Sequence, residues 1–357
     1  MKLIHCSDLH LDSALRSNLT QEKAKIRNIE LCTAFGRLVT FAKKEQVEAV
    51  LIVGDLFDSS YVSRQTTDYV LEKIRGAGEI TFFLLRGNHD ESRDPFTGYS
   101  LPENLKTFGS HWTSFRCGCT VITGMEPEGA GWSDMYDSLR LEEKALNIVM
   151  LHGQTAAQPG EGYIALPLLR GRHIRYLALG HLHTYSKAPL DPEGEYAYSG
   201  CLEGRGFDEC GEKGFLLLET DGRNVSSRFV PFAERMLHDL AVDISGAETV
   251  TQILALLKQA AAGIGAADLV KFTLTGTYMP QTQKDIRFLQ KILEQEFWFV
   301  KIKDETTLEI DGHSYEYDVS LKGEFVRSVL ASNRSEAEKL RIIGCGVRAL
   351  NGEEVLL

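Results

Sequence analysis

No stretch of this chain holds about 18 consecutive apolar residues, the length a bilayer-crossing helix requires, so no membrane span is expected. The opening residues, Met1-Lys2-Leu3-Ile4-His5-Cys6-Ser7-Asp8, are too short and too polar for a secretory signal. Cysteine is scarce, with 7 residues in irregular spacing. An odd, scattered set of that kind fits reduced thiols rather than a disulfide framework, and points to the cytoplasm. An excess of basic residues is also missing: Lys and Arg number 39 against 50 Asp and Glu, a net charge of −11. A protein that grips DNA through its phosphates needs the opposite sign, so tight DNA binding by this chain alone is not expected. Bound divalent cations would neutralise part of a carboxylate-rich site, and a partner subunit could bring a basic surface, so chemistry on nucleic acid stays open. Internal repeats and low-complexity segments are absent as well.

What is present is ordinary globular composition, 43% hydrophobic and 25% charged, over 357 residues. That length suggests roughly two domains. Helical spacing of Ile26, Ile29, Leu31, Phe35, Leu38, Val39 and Ala42 predicts a helix over Glu22 to Lys44, and a second is expected from Thr66 to Ile74. Between them lie apolar runs of the kind found in strands buried on both faces: Lys2–Ser7, Ala49–Val53, Ile80–Leu85, Leu146–Leu151 and Tyr176–Leu179. Alternating helices and buried strands say α/β. From Tyr196 to Pro231 strands follow one another without helices, and beyond a boundary near Pro231 a smaller α/β unit is expected, with helices over Thr249–Ala262 and Gln283–Glu294 and a strand over Leu269–Leu274. Near the end Leu340, Ile343, Val347 and Leu350 form a heptad-like stripe, interrupted by Gly344 and Gly346.

Each buried strand runs out into Asp, Asn or His. Asp8 and His10 follow the first, Asp55 the second, Asn88 the third, His152 the fourth, and His181 with His183 the fifth. In open α/β sheets ligands collect beyond the carboxyl ends of the strands. Asp8 and His10 stand at i and i+2, so an extended backbone would point both to one side, and His181 with His183 would repeat that geometry. Oxygen and imidazole ligands without cysteine suit two divalent ions rather than one structural zinc. Such a pair, about 3.5–4 Å apart, needs a shared anion, which Asp55 could supply. His89 is placed to protonate a leaving oxygen.

Asp8-Leu9-His10, Gly54-Asp55-Leu56-Phe57-Asp58, Gly87-Asn88-His89-Asp90, His152-Gly153 and Gly180-His181-Leu182-His183 resemble the five motifs of calcineurin-like metallophosphoesterases. Ile4 through Asp12, Gly54 through Asp58, and Tyr198-Ser199-Gly200-Cys201-Leu202-Glu203 with Lys213-Gly214-Phe215 are similar to the Mre11/SbcD branch of DNA-repair nucleases, and Gly323-Glu324-Phe325-Val326-Arg327 through Leu350 to its bacterial YhaO-like members. The resemblance implies an αββα four-layer β-sandwich flanked by helices over residues 1–232, a smaller α/β cap over 233–322 and a helical, partner-binding segment over 323–357. It implies one metal on Asp8, His10, Asp55 and His183, a second on Asp55, Asn88, His152 and His181, and His89 as catalytic acid. The working ion would be Mn²⁺; the ligand types alone also admit Fe²⁺ or Zn²⁺. Archaeal and eukaryotic members carry a second catalytic histidine three residues beyond the bridging aspartate, where this chain has Asp58. DNA is the implied substrate, in-line hydrolysis of its phosphodiester bonds the implied reaction, and an SMC-like ATPase of the Rad50/SbcC kind the implied partner in DNA repair. A homodimer is common among relatives.

Several residues carry plainer readings. Asp12 suits equally a carboxylate behind a ligand histidine and a cap on the turn after the first strand. Asp90 is expected to brace its turn, His5 to sit in the core, and Arg170-Gly171-Arg172-His173-Ile174-Arg175 to be a solvated turn. Cys117-Gly118-Cys119 lacks a second pair at finger spacing and reads as plain thiols. Arg64, Arg93 and Arg205 follow motifs and are candidate phosphate contacts. The terminal stripe would pack on its own domain, or dock a partner's coiled coil. Two rivals to a nuclease stand: a phosphatase or phosphodiesterase for a small molecule, since one metal centre serves many substrates, and a DNA-end-binding subunit without turnover. The first needs a narrow closed site. The second has no use for His89.

Overall fold

The computed structural model describes residues 1–15, 19–58, 62–87, 95–279, 282–309 and 315–350. They divide into two compact units, Met1–Met236 and Leu237–Leu357. In the first, β1 (Lys2–Cys6), β2 (Ala49–Val53), β3 (Thr81–Leu85) and β4 (Leu105–Thr107) run parallel. The crossovers are α1 (Gln21–Lys44) and α2 (Arg64–Arg75). Thr20 caps α1 by accepting from the Lys23 amide, Lys43 and Lys44 suit its last turn, and Leu31, Phe35, Leu38, Val39 and Ala42 form its buried stripe. Ser63 caps α2 in the same way.

The chain then builds a second sheet from β5 (Thr113–Cys117), β6 (Thr120–Gly124), β7 (Leu146–His152), β10 (Ile174–Gly180), β11 (Ser186–Asp191) and β12 (Gly194–Tyr198). Between these strands lie α3 (Gly131–Ser138), the short pair β8 (Gln154–Ala156) and β9 (Tyr163–Ala165), and α4 (Leu166–Leu169). Finally β13 (Gly214–Thr220) and β14 (Val225–Pro231) return to the first sheet. Among the described residues each sheet has six strands, ordered β14-β13-β1-β2-β3-β4 and β11-β12-β10-β7-β6-β5.

Alternate residues of each strand face opposite layers, which is why the central strands are apolar throughout. Leu3, Leu51, Val53 and Phe83 of the first sheet meet Ile148, Met150, Tyr176 and Ala178 of the second. The other face of the first sheet, including Ile4, Val50, Ile52 and Phe82, packs on Phe35, Leu38, Val70 and Ile74 of α1 and α2. The outer face of the second, with Val149, Leu151, Leu177 and Leu179, packs on Trp132, Met135 and Leu169. The result is the expected four-layer αββα sandwich. Its strand run from Tyr196 to Pro231 splits, because β12 belongs to one sheet and β13 to the other. Residues 199–213 therefore cross the end of the sandwich, over the ends of β1 and β10.

The second unit pairs β15 (Leu237–Asp243), β16 (Leu269–Thr275) and β18 (Phe299–Asp304) in parallel, with α5 (Val250–Ala260) and α6 (Ile286–Leu293) packed on them. The short β17 (Thr277–Tyr278) and β19 (Thr307–Leu308) pair in parallel as a separate two-stranded sheet. Then α7 (Leu321–Leu330) and α8 (Glu336–Leu350) pack around Tyr315, Val326, Ile343 and Val347.

Candidate metal centre

The expected extended backbone at Asp8 and His10 is not what the structure shows. β1 ends at Cys6, and Asp8, His10 and Asp12 have φ of 53°, 45° and 70°. Asp55 at 48° and His181 at 106° are also in this sparsely occupied region. Each such residue costs of order 1–3 kcal/mol, which surrounding bonds must offset. They do: the Asp8 amide donates to the Gly54 carbonyl at 3.1 Å, His10 to Asp55 at 3.0 Å, and Leu11 to Leu56 at 3.0 Å. The loop after β1 is thus zipped to the loop after β2. Both loops present their ligand groups to one place because of that ladder, not because of a strand's period.

From this side come Asp8, His10 and Asp55; from the second sheet come His152, His181 and His183. The candidate ligand atoms of Asp8, His10 and His183 all lie within 4.8 Å of one another, and so do those of Asp8, Asp55 and His152. Asp55 Oδ2 faces both groups, 3.7 Å from His10 Nε2 and 3.5 Å from His152 Nε2. His181 and His183 part company. The His183 ring meets His10 edge-on, with Nε2 atoms 3.1 Å apart, and the His181 ring meets His152 edge-on at 5.5 Å between centroids. The His181 amide donates to both carboxylate oxygens of Asp8 at 3.1 Å.

The imidazole tautomers test whether these residues suit cations. A histidine's free nitrogen is set by the bond its other nitrogen makes. His183 Nδ1 lies 2.7 Å from Glu209 Oε1 and 3.2 Å from Arg205 Nη2, and His10 Nδ1 lies 3.2 Å from Asp58 Oδ1; the two carboxylates favour the tautomer with the proton on Nδ1 at both rings. Two Nε2 lone pairs then face each other at 3.1 Å, an arrangement that favours a cation between them. His152 Nδ1 donates to the Val53 carbonyl at 3.1 Å, which turns its Nε2 toward Asp55. Buried oxygen and imidazole donors therefore fit divalent ions.

The electrostatics agree. Burial alone would lower the His183 pKa, but Glu209 and Asp8 outweigh it and hold it above the usual value. Burial, with His152 beside it, lowers that of His181. Glu209 is desolvated, yet its bonds to His183 and Arg205 keep its carboxyl far below the ordinary carboxylate range. Asp58 is likewise held low against burial by His10 and Arg205.

Close approach of the two sheets requires glycine twice. A methyl group on Gly54, whose φ is +84°, would enter the His152 ring, and one on Gly180 would overlap the Val53 carbonyl oxygen. Ser7 donates to Asp8 at 2.5 Å and meets Ser199 at 2.8 Å, while the Tyr198 hydroxyl donates to the Gly153 carbonyl at 2.9 Å and steadies the turn after His152. Beside His152 and His181 opens a cleft of about 580 Å³, with Arg86, Glu126, Trp132 and Tyr163 on its walls.

Asn88, His89, Asp90 and Arg93 lie outside the described residues. Arg205 is not a ready phosphate contact: its guanidinium is mostly buried and committed to Asp58 and Glu209. Arg64 is exposed at the first position of α2. Asp12 accepts from the Ser63 amide at 2.7 Å, fastening the first loop to the start of α2 rather than holding a ligand histidine. His5 is a satisfied core residue, His173 sits exposed in a turn, and Cys117 and Cys119 flank a hairpin as free thiols. Glu209 went unread in the sequence. Its only signal was an acid four residues beyond Arg205, in a glycine-rich stretch that announces no element.

Known proteins resemble this chain in sequence. Calcineurin-like phosphoesterases match residues 1–185. The metallophosphoesterase YhaO of Bacillus subtilis is 25% identical over 338 residues, covering 86% of this chain and 82% of its own. The DNA double-strand break repair protein Mre11 of Methanosarcina acetivorans is 25% identical over 250 residues, 65% of this chain and 39% of that protein. The SbcD component of the SbcCD nuclease of Staphylococcus saprophyticus is 24% identical over 281 residues, 65% and 69% of the two chains. With the αββα sandwich, the two ligand clusters at its strand ends and a match over more than half its length, this chain belongs to the calcineurin-like phosphoesterases, hydrolases built around a dinuclear metal centre.

Proposed function

We propose that this protein is a Mn²⁺-dependent DNA nuclease that hydrolyses phosphodiester bonds in DNA repair, in the cytoplasm, beside an SMC-like ATPase of the Rad50/SbcC kind. The observation that carries the two-metal reading is Asp55, one of whose oxygens faces imidazoles from both sides. Similarity to an Mre11 and to a component of the SbcCD nuclease supports DNA as the substrate. Residues 1–232 would form the catalytic domain, 233–322 a smaller cap domain, and 323–357 a helical segment for the partner.

Asp8, His10, Asp55 and His183 would hold one ion, and Asp55, Asn88, His152 and His181 the other. When bound, the pair supplies positive charge against that building on the phosphoryl oxygens and makes water a better nucleophile. The chain's own groups do the rest. Asp55 sets the separation between the two clusters. The Val53 carbonyl fixes the His152 ring, and Asp8 holds the His181 amide. His89 donates a proton to the departing sugar oxygen.

A small-molecule phosphoesterase is the second reading. It is favoured by the net charge of −11 and by the exposed Glu128 and Glu161 along the cleft beside His152, which repel a polyanion. Digestion of labelled duplex and single-stranded DNA with Mn²⁺, beside a simple phosphodiester ester and the His89→Ala variant, separates the two. DNA cleavage lost in the variant is expected. Hydrolysis of the ester with DNA left intact, even with the ATPase added, would replace the nuclease reading with the second.

A further inference from the structure

We infer that Arg205 is a positioning residue, which orients His10 and His183 for one metal ion by holding Asp58 and Glu209 in place. The inference rests on the two-metal reading above and extends it to groups that touch neither metal nor substrate.

Arg205 Nη1 donates to Asp58 Oδ1 at 2.9 Å. Its Nη2 donates to Glu209 Oε1 at 2.8 Å and its Nε to the same oxygen at 3.2 Å. The Arg205 amide donates to Glu209 Oε2 at 2.8 Å, so both oxygens of that carboxylate are fixed by one residue. Each carboxylate in turn meets a ligand imidazole, Asp58 at His10 Nδ1 and Glu209 at His183 Nδ1. One planar guanidinium thus spans two acids that sit behind two histidines, and those histidines point their Nε2 atoms at each other.

A guanidinium suits this task because its donors are fixed in a plane and diverge. Without it, two carboxylates would face each other across a half-buried space and swing apart. The Nδ1 protons would lose fixed acceptors, and both tautomer and ring angle would loosen. The surroundings reinforce the same pole: Lys213 Nζ donates to the His183 carbonyl at 2.8 Å, and Cys201 Sγ lies 3.5 Å from it. His152 is anchored differently, by the backbone carbonyl of Val53. Loss of Arg205 should therefore weaken one metal position and spare the other. A plain structural tie, fastening the 199–213 crossing to the loop after β2, would not discriminate between the two.

The test is titration of Mn²⁺ into the metal-free full-length chain, followed by calorimetry and by the electron paramagnetic resonance of bound Mn²⁺. The wild-type chain should bind two ions. Arg205→Ala should weaken one of them by about 10–100-fold, the usual effect of removing a group behind a metal ligand, and leave the other unchanged. Arg205→Lys keeps the charge without the fork and should recover only part of the loss. Both ions bound with wild-type affinity in folded Arg205→Ala, or both weakened equally, overturns the inference. If Arg205→Ala does not fold, the isosteric Glu209→Gln takes its place, and unchanged affinity there overturns it too. A wild-type chain that binds fewer than two ions fails in another way, since it removes the two-metal reading itself.

Discussion

His5 shows how one buried side chain writes itself into the stability of the whole protein. It lies in β1, with Nδ1 accepting from the Tyr176 hydroxyl at 2.8 Å and Nε2 donating to the Leu179 carbonyl at 3.1 Å. Burial drives its pKa down to about 3, against a small opposing pull from the Leu179 carbonyl. The unfolded chain takes up this proton near pH 6.5 and the native chain only near pH 3. The contribution is complete above the unfolded value and declines as pH falls through the window between the two, at up to ~1.4 kcal/mol per pH unit. Denaturant unfolding between pH 4 and 7 should give a shallower slope for His5→Gln than for the wild-type protein. Equal slopes would mean His5 is not held neutral. The core role of His5 was legible in the sequence, as were the ligand types at the strand ends. Which ligands pair was not legible from spacing, and came only as what the family resemblance implies. His181 and His183 are two residues apart but turn to different clusters, because His181 leaves the strand at a φ of 106°. Glu209 reaches His183 from 26 residues away through a crossing that only the sheet topology defines.

At the scale of elements, legibility followed length and period. α1 was read to within one residue because its stripe repeats over 24 residues. β5 was missed: it is an edge strand whose residues alternate between half-buried and exposed, without an apolar run. α3 was missed because eight residues hold barely two turns. α8 is the instructive element. Gly344 and Gly346 argued against a helix on propensity, yet the helix runs through both. At Gly346 the Phe325 ring of α7 occupies the space where a methyl group would stand, so packing decides what propensity leaves weak. Of the stripe, Ile343 and Val347 are buried while Leu340 and Leu350 remain 36% and 44% exposed. So small a core has little redundancy. Ile343→Ala should cost about 2–4 kcal/mol locally. Hydrogen exchange would then show α7 and α8 losing protection together, with β1, β2 and β10 unchanged. Loss in one helix alone would mean the pair does not behave as one element.

At the scale of the molecule, length predicted two domains, and composition set the acidic balance against unaided DNA binding. The fold class followed from strands that are apolar on both faces. Metal should act on one part of this architecture. An ion that binds only the native state adds about 2.7 kcal/mol at a hundredfold excess over its Kd. Hydrogen exchange with Mn²⁺, and again after chelation, should show reversible protection at residues 8–11, 54–57 and 181–183, with β15, β16 and β18 unaffected. A uniform change along the chain would count against a centre confined to the sandwich.

The glycine contact between the sheets reaches further than its two residues. Packed sheets usually stand about 10 Å apart, but here Gly180 brings the backbone of one against the Val53 carbonyl of the other. That pinch lies beside His152 and Asp55, and half the centre hangs from each sheet. The sandwich therefore works as a closed calliper, its jaws at the strand ends and its beam the layer of Leu51, Met150 and Tyr176 between them. The gap between the jaws is set by the width of the beam, so a volume change deep in that layer would retune the centre without touching a ligand.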